Sequence, residues 1–182
     1  MTLVETPTSS AAHFEEFLAQ SRYSRHELKL VADGVFPGLP RLPDIPTGIL
    51  DRIVEITNTG GAYGKGYVIA EIDVGSDNGF FKGHFNDDPV MPGLLGVDAL
   101  MQALGFWLGR AGARGKGRAR GLDSTTFLAE ILPGTGVVQL RVDVRTRIIN
   151  KRMSTVEGDG RIYQGERTFT TASNLKVIVV PN

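Results

Sequence analysis

The feature that most constrains the fold of this 182-residue chain is an apolar run near its middle. Residues 92–108, PGLLGVDALMQALGFWL, are apolar, glycine or proline at every position except Asp98 and Gln102. The proline suits the first turn of a helix and Gly109 or Gly112 is a plausible stop, so the spacing predicts one helix over this run. A helix that is apolar on every face is buried, and we therefore expect a sheet to surround it.

Short β-branched runs before and after this helix predict the strands of that sheet. Residues 138–145, VQLRVDVR, alternate between apolar and polar side chains, which is typical of an antiparallel strand with one dry face. Ile148 and Ile149 break the alternation and indicate a bulge. Gly60 and Gly61 separate two β-branched runs and predict a hairpin. About six strands, with one strong helix between the second and the third, predict an α+β domain.

The N-terminal part of the chain carries weaker signals. Residues 1–22 are polar apart from the amphipathic segment HFEEFLAQ, and we expect an arm that is either a marginal helix or mobile. Ser24 and Glu27 have the spacing of a capping box and Gly34 suits a C-terminal stop, which predicts a two-turn helix. The four prolines that follow predict an extended connector. We expect residues 23–182 to form a single domain.

Composition excludes several classes of protein. The 20 basic and 20 acidic residues cancel, so net charge favours neither a nucleic-acid binder nor a membrane-surface protein. The chain has no cysteine, which excludes disulfides, thiolate nucleophiles and cysteine-based zinc sites and is typical of a reducing cytosol. It has neither a signal-peptide pattern nor a run of apolar residues long enough to span a membrane. We therefore expect a soluble cytoplasmic protein.

The two polar side chains of the predicted helix are the first candidates for a functional site. Asp98 and Gln102 are four positions apart, so they share one helix face. An aspartate in a buried helix is costly unless it is paired, hydrogen-bonded or used in chemistry. Two interpretations remain open: a structural acid satisfied by Gln102 and backbone amides, or the acid of a functional site.

His84 is the second candidate. It lies in the segment NGFFKGHFNDDPVMPG, which is too broken for regular structure and too apolar for a mobile loop, so we expect it to pack against the core. His13 is expected in the arm and His26 on a helix surface. A single packed histidine is more often structural than catalytic. A metal centre with Asp87 and Asp88 is disfavoured because no second histidine and no cysteine is nearby.

Motifs of other catalytic classes are missing from the sequence. It has no G-x-S-x-G elbow, no P-loop and no dinucleotide-binding glycine motif after a strand, so serine hydrolysis, phosphoryl transfer and dinucleotide binding have no support. A histidine, an aspartate and the helix N-terminal amides of Gly93 and Leu94 remain, and such amides can bind a developing oxyanion. These are the groups needed to move protons on carbons next to a carbonyl.

The same stretch carries a family resemblance. Residues 80–106, FFKGHFNDDPVMPGLLGVDALMQALGF, resemble the β-hydroxydecanoyl-acyl-carrier-protein dehydratases. The resemblance extends to LDRIVEITNTGGAYGKGYVIAEIDV, GKGRARG, RIINKR and TASNLKV, and it covers roughly residues 24–180. It implies a hot-dog fold, in which an antiparallel sheet wraps a long central helix. It also implies a homodimer whose two active sites lie at the subunit interface.

The resemblance implies a role for each candidate residue. His84 of one subunit would take the α-proton of a 3-hydroxyacyl thioester, and Asp98 of the other would help to protonate the departing hydroxyl. The amide of Gly93 would bind the thioester oxygen, and the implied oxyanion and substrate-binding positions are Gly93, Leu94, Val90 and Gln102. No metal or organic cofactor is implied. Leu94 stands where these dehydratases usually have cysteine, so the chain-length preference stays open, as does trans-2 to cis-3 isomerisation.

A basic run, RAGARGKGRAR over residues 110–120, raises the question of a partner. Taken alone it is typical of a solvated loop, and an RNA-binding interpretation lacks interleaved aromatic residues. The resemblance implies instead an acidic acyl carrier protein with a phosphopantetheine-linked acyl chain, docked by Arg147, Lys151, Arg152 and Lys176. Two alternatives to the dehydratase remain: a hot-dog acyl thioesterase, and a non-catalytic acyl-binding module that would not need His84.

Overall fold

The computed structural model describes residues 8–44 and 48–181, and this part of the chain forms an antiparallel sheet with few helices. The helices are α1 (Thr8–Ala19), α2 (Arg25–Asp33) and α3 (Gly93–Arg110), with one short 3₁₀ turn at Gly79–Phe81. The strands are β1 (Arg52–Thr57), β2 (Tyr67–Val74), β3 (Lys116–Gly121), β4 (Ser124–Phe127), β5 (Gly136–Ile148), β6 (Ser154–Gln164) and β7 (Arg167–Val180).

The strands described form one sheet in the order β1-β2-β5-β6-β7-β3, and β4 also pairs with β7. The predicted hairpin joins β1 to β2, and Gly60 and Gly61 take positive φ angles of 74° and 75° in its turn. At the other edge β7 is shared, because its first part pairs with β4 and its second part with β3. The pairing of β3 corrects the expectation of a loop for residues 116–120, since β7 supplies the hydrogen bonds of a strand.

The predicted alternation in β5 is confirmed. Its inward side chains Val138, Leu140, Val142 and Val144 are buried, while the residues between them face solvent in part. The predicted bulge lies between Val144 and Thr146, slightly earlier than the paired isoleucines indicated. The side chains after the bulge are exposed, so the last part of β5 extends beyond the core.

Helix α3 packs against β7, β6, β5, β2 and β3, and most of its 18 residues are buried. It ends two residues beyond the expected Leu108. Gly109 remains helical, and a Cβ atom there would lie 2.9 Å from Pro40 Cδ, so this glycine is required by packing and not as a stop. Gly112, with φ 117°, makes the turn instead. Within the described residues, no helix is long and apolar enough to cross a membrane.

The predicted helix α2 has the expected ends. The Ser24 hydroxyl accepts from the amide of Glu27 at 3.3 Å, and Gly34 closes the helix in the left-handed conformation with φ 77°. The connector lies outside helices and strands over residues 35–44, and residues 45–47 lie outside the described chain.

Helix α1 forms most of the described part of the N-terminal arm, and the first seven residues lie outside the described chain. Phe17 is buried, with its ring centroid 4.0 Å from that of Phe36 and 4.9 Å from that of Tyr23. The helical alternative is therefore observed for this segment. The domain boundary after residue 22 stays a prediction.

Candidate active site

His84 is held in one orientation by its own loop. Its Nδ1 lies 2.8 Å from the carbonyl oxygen of Val90, and the amide of Val90 donates to the carbonyl of His84, also at 2.8 Å. The ring stacks on Phe85 at 4.4 Å, and the peptide bond between His84 and Phe85 is cis. Because a carbonyl oxygen only accepts, Nδ1 carries a proton. In the neutral imidazole Nε2 then has the lone pair, as a base requires.

The His84 cavity, of about 260 Å³, places this imidazole beside the start of α3. It is lined by His84, Val90, Gly93 and Leu94, among others. Pro92 caps the helix without a side-chain hydrogen bond, and within the described residues the amides of Gly93 and Leu94 donate to no acceptor. Such amides carry the partial positive charge of the helix dipole. The cavity therefore combines an imidazole nitrogen that can accept a proton with amides that can donate hydrogen bonds.

Exposed apolar residues lie in and beside the His84 cavity. The exposed fractions are 70% for Leu94 and 50% for Phe127, which line it, and 58% for Phe85, whose ring stacks on His84. The Phe127 ring also lies against Gly93, where an added Cβ atom would be 2.6 Å from it. Exposed apolar residues grouped around one cavity favour a surface that binds a ligand or another chain.

Asp98 and Gln102 share one face of α3, as predicted, and they are hydrogen-bonded. Gln102 Nε2 donates to Asp98 Oδ2 at 2.7 Å, and Gln102 is only 8% exposed. Both line the Asp98 cavity, of about 320 Å³, whose other walls include residues 40–43 of the connector and residues 117–119 of β3. The acid that looked out of place in an apolar helix thus faces a cavity and has a donor.

In the described part of the chain, the two predicted catalytic side chains line different cavities. His84 lines one cavity and Asp98 the other, and no hydrogen bond of the described residues joins them. Leu94 lines the His84 cavity, and Gln102 lines the Asp98 cavity. A reaction that needs both the histidine and the aspartate therefore needs a further element to bring them together.

The four predicted docking residues are divided between two places. Arg147, Lys151 and Arg152 lie at the end of β5 and in the turn to β6, and all three are exposed. The Arg147 guanidinium lies 5.3 Å from the ring centroid of Trp107, on the helix side of the sheet. Lys176 lies on β7, opposite Glu157 of β6, and faces away from the helix side of the sheet.

Lys176 is also engaged by an acid that the sequence did not single out. Its Nζ lies 2.8 Å from Asp123 Oδ1, and this hydrogen bond raises the pKa of Lys176. No local pattern in the sequence points to this contact, because it depends on the way β3 and β4 share β7. Val90 was expected as a substrate-binding position, but its contact with His84 was not predicted, since it is made by the backbone carbonyl and not by the side chain.

Comparison with known proteins identifies the family and the fold. Residues 42–173 match the FabA-like domain. The dehydratase heterocomplex ApeI:P from Xenorhabdus doucetiae has 20% identity and a TM-score of 0.54, with 81% of this chain and 92% of that chain covered. The Escherichia coli PaaI protein of the phenylacetic acid degradation operon has 14% identity and a TM-score of 0.51, with 95% and 98% covered.

A hypothetical thioesterase with coenzyme A from Streptococcus pneumoniae TIGR4 has 13% identity and a TM-score of 0.50, with 71% of this chain and 85% of that chain covered. At these identities the likeness shows the hot-dog fold alone. A dehydratase and a hypothetical thioesterase both share it, so the fold does not decide the reaction.

Proposed function

This chain belongs to the FabA-like family, and we propose that it is a cytoplasmic lyase that dehydrates 3-hydroxyacyl thioesters of acyl carrier protein in fatty acid biosynthesis. The observation that carries the proposal is the His84 cavity, where an imidazole oriented by the carbonyl of Val90 lies beside the amides of Gly93 and Leu94, which have no acceptor among the described residues. A base and an oxyanion site are the groups that proton abstraction next to a thioester carbonyl requires.

In the proposed reaction His84 Nε2 takes a proton from carbon 2 of the acyl chain. The thioester oxygen, which gains negative charge, is stabilised by the amide of Gly93. The electron pair then forms the trans-2 double bond as the bond from carbon 3 to oxygen breaks. Asp98 gives a proton to the departing hydroxyl, which leaves as water. Each well-placed proton transfer contributes on the order of 10²–10⁴ in rate.

The proposal includes a homodimer in which His84 of one copy meets Asp98 of the other. It is supported by the placement of the two side chains in different cavities of one chain. It is also supported by the exposed apolar residues in and beside the His84 cavity, which a second copy would cover. Each dimer would then contain two equivalent sites.

The carrier protein would dock through Arg147, Lys151, Arg152 and Lys176, since acyl carrier proteins are acidic. Within the proposal the sites need no cofactor. The FabA-like family match also makes trans-2 to cis-3 isomerisation a second proposed activity, for which a cis-3 product is the readout.

One assay separates the dehydratase from its alternatives. The protein is given a 3-hydroxyacyl thioester, and enoyl absorbance and free thiol are followed together. Enoyl product without thiol supports the dehydratase, thiol without enoyl product identifies a thioesterase, and neither product indicates an acyl-binding module. The His84→Ala variant should lose the enoyl product while remaining dimeric.

Mixing two inactive variants tests the shared site. His84→Ala and Asp98→Asn copies are each expected to be inactive alone. A mixed dimer has one site with both changes and one site with neither, so random exchange should restore roughly a quarter of wild-type activity. Activity that stays absent after exchange, with mixed dimers verified by differently tagged copies, would show that Asp98 does not act across the interface.

A further inference from the structure

We propose that Asp123 competes with the carrier protein for Lys176, so that docking exchanges an internal ion pair for one with an acidic group of the carrier. The inference rests on the proposed function, because it requires a carrier-linked substrate. It concerns a different residue and a different step, namely recognition and not the chemistry at His84. The structure supports it through the position of Asp123, its exposure and the charges around it.

Asp123 is fixed by the junction of β3 and β4. Gly121, at the end of β3, pairs with Lys176 of β7, and the amide of Asp123 donates to the carbonyl of Ser173 at 3.0 Å. The side-chain amide of Asn174 donates to Asp123 Oδ2 at 2.8 Å. Asn174 itself has a φ angle of 51°, which is unusual outside glycine. The backbone thus aims the Asp123 carboxylate at the Lys176 ammonium and holds it there.

The pair is accessible to a partner. The exposed fractions of the side chains are 34% for Lys176 and 56% for Asp123, and the distance from Nζ to Oδ1 is 2.8 Å. Hydrogen bonding to Lys176 lowers the pKa of Asp123, so the acid is ionised at neutral pH. Exposed ion pairs contribute little to stability, and an acidic side chain or phosphate of a partner can therefore replace Asp123 at small cost.

The acidic residues around Lys176 affect how readily an acidic partner can bind it. Glu157 lies across the strand pair from Lys176, so this ammonium already has one acid beside it and a second bonded to it. An acidic partner that approaches Lys176 meets the field of Asp123 first, and like charges disfavour its approach. Removing the negative charge of Asp123 would leave Lys176 its ammonium and remove that repulsion.

The test compares Asp123→Asn with a matched control. Asp33→Asn also removes one exposed acid from a lysine pair, with Lys29 on α2, at a distance in sequence from the docking residues. Binding is measured by fluorescence anisotropy with labelled acyl carrier protein, and turnover with a carrier-linked and a small 3-hydroxyacyl thioester. For Asp123→Asn we expect carrier binding to tighten about two- to fivefold, the range for loss of an exposed ion pair. The KM for the carrier substrate should fall likewise and that for the small thioester stay constant.

Three outcomes would overturn the inference. Unchanged carrier affinity of Asp123→Asn would exclude competition. Equally tight carrier binding by Asp33→Asn would show that the effect comes from the net charge of the protein and not from Asp123. Tightening that persists when Asp123→Asn is combined with Lys176→Gln would show that it does not act through Lys176.

The design also separates this inference from the proposed reaction. Carrier affinity that tightens through Lys176, in a protein that forms no enoyl product, supports the inference and contradicts the dehydratase. Turnover of the small thioester by a protein that binds no carrier supports the reaction and contradicts the inference.

Discussion

Gln102 is predicted to position Asp98, and the Gln102→Leu variant tests this role. The substitution removes the donor to Asp98 Oδ2 and keeps a side chain of similar volume in a helix that is otherwise apolar. In the proposed reaction Asp98 becomes a carboxylate as it gives up its proton, and a hydrogen bond to such a charged group contributes about 1.5–3 kcal/mol. If the contact is needed in the transition state, its loss corresponds to a fall in kcat of roughly 10- to 100-fold.

Stability should change much less than turnover. Asp98 is partly exposed, so water can replace the lost donor in the folded protein. We expect the free energy of unfolding to fall by about 1 kcal/mol or less, which for a chain of this size corresponds to about 2–4 °C in the unfolding midpoint. Steady-state kinetics with a small 3-hydroxyacyl thioester and thermal unfolding give both quantities.

Gln139→Leu is the matched control. Gln139 Nε2 donates to Glu71 Oε1 at 3.0 Å on β5, so the same change removes the same kind of hydrogen bond outside both cavities. Its kcat should equal that of the wild type. The reasoning is refuted if Gln102→Leu retains wild-type kcat, if its loss appears in KM alone, or if Gln139→Leu loses as much activity.

Three further substitutions test the sheet and the packing of α3. The Arg52 guanidinium donates hydrogen bonds to Asp73 at 2.6 and 2.9 Å, and these lower the pKa of the Asp73 carboxyl. The contribution of this ion pair to the stability of the folded protein is therefore present above about pH 4 and is lost as the pH falls. Asp73→Asn should therefore reduce stability by about 0.5–1 kcal/mol at pH 7, and the difference should disappear near pH 2 in urea titrations. Gly96→Ala would place a Cβ atom 2.7 Å from the buried Ile162 Cδ1, and such overpacking should cost about 1–3 kcal/mol. Replacing a helical glycine by alanine contributes only about 0.5–1 kcal/mol, so the unfolding midpoint should fall. In Gly105→Ala the atom nearest to the added Cβ would lie at 3.6 Å, which is an ordinary contact. This variant should therefore have a higher unfolding midpoint, because alanine favours the helix more than glycine does.

The elements that could be predicted are those whose signals are local. The ends of α2 follow from Ser24, Glu27 and Gly34, which lie within eleven residues and act on their own backbone. The strand character of β5 follows from the alternation of neighbouring side chains. The shared face of Asp98 and Gln102 follows from helix geometry alone. In each case the residues that carry the signal are those that form the structure.

The edge of the sheet could not be predicted for the opposite reason. The sequence KGRARG of β3 has little intrinsic preference for a strand, since glycine, lysine and alanine are depleted there. It becomes a strand because β7, about sixty residues later in the chain, offers hydrogen-bonding groups. The contact between Asp123 and Lys176 depends on the same pairing. A single sequence carries no measure of such long-range pairing, and the acid next to a predicted docking lysine was therefore missed.

Leu94 connects the two halves of the proposed site. It begins the helix stripe that continues with Asp98 and Gln102, because residues four apart share a face. It also lines the His84 cavity, and its side chain is 70% exposed. In the proposed homodimer a second copy would cover this exposed side chain. Such a copy would lie beside the His84 cavity and within one helical turn of Asp98, and the mixed-dimer experiment tests whether His84 and Asp98 then act across the interface.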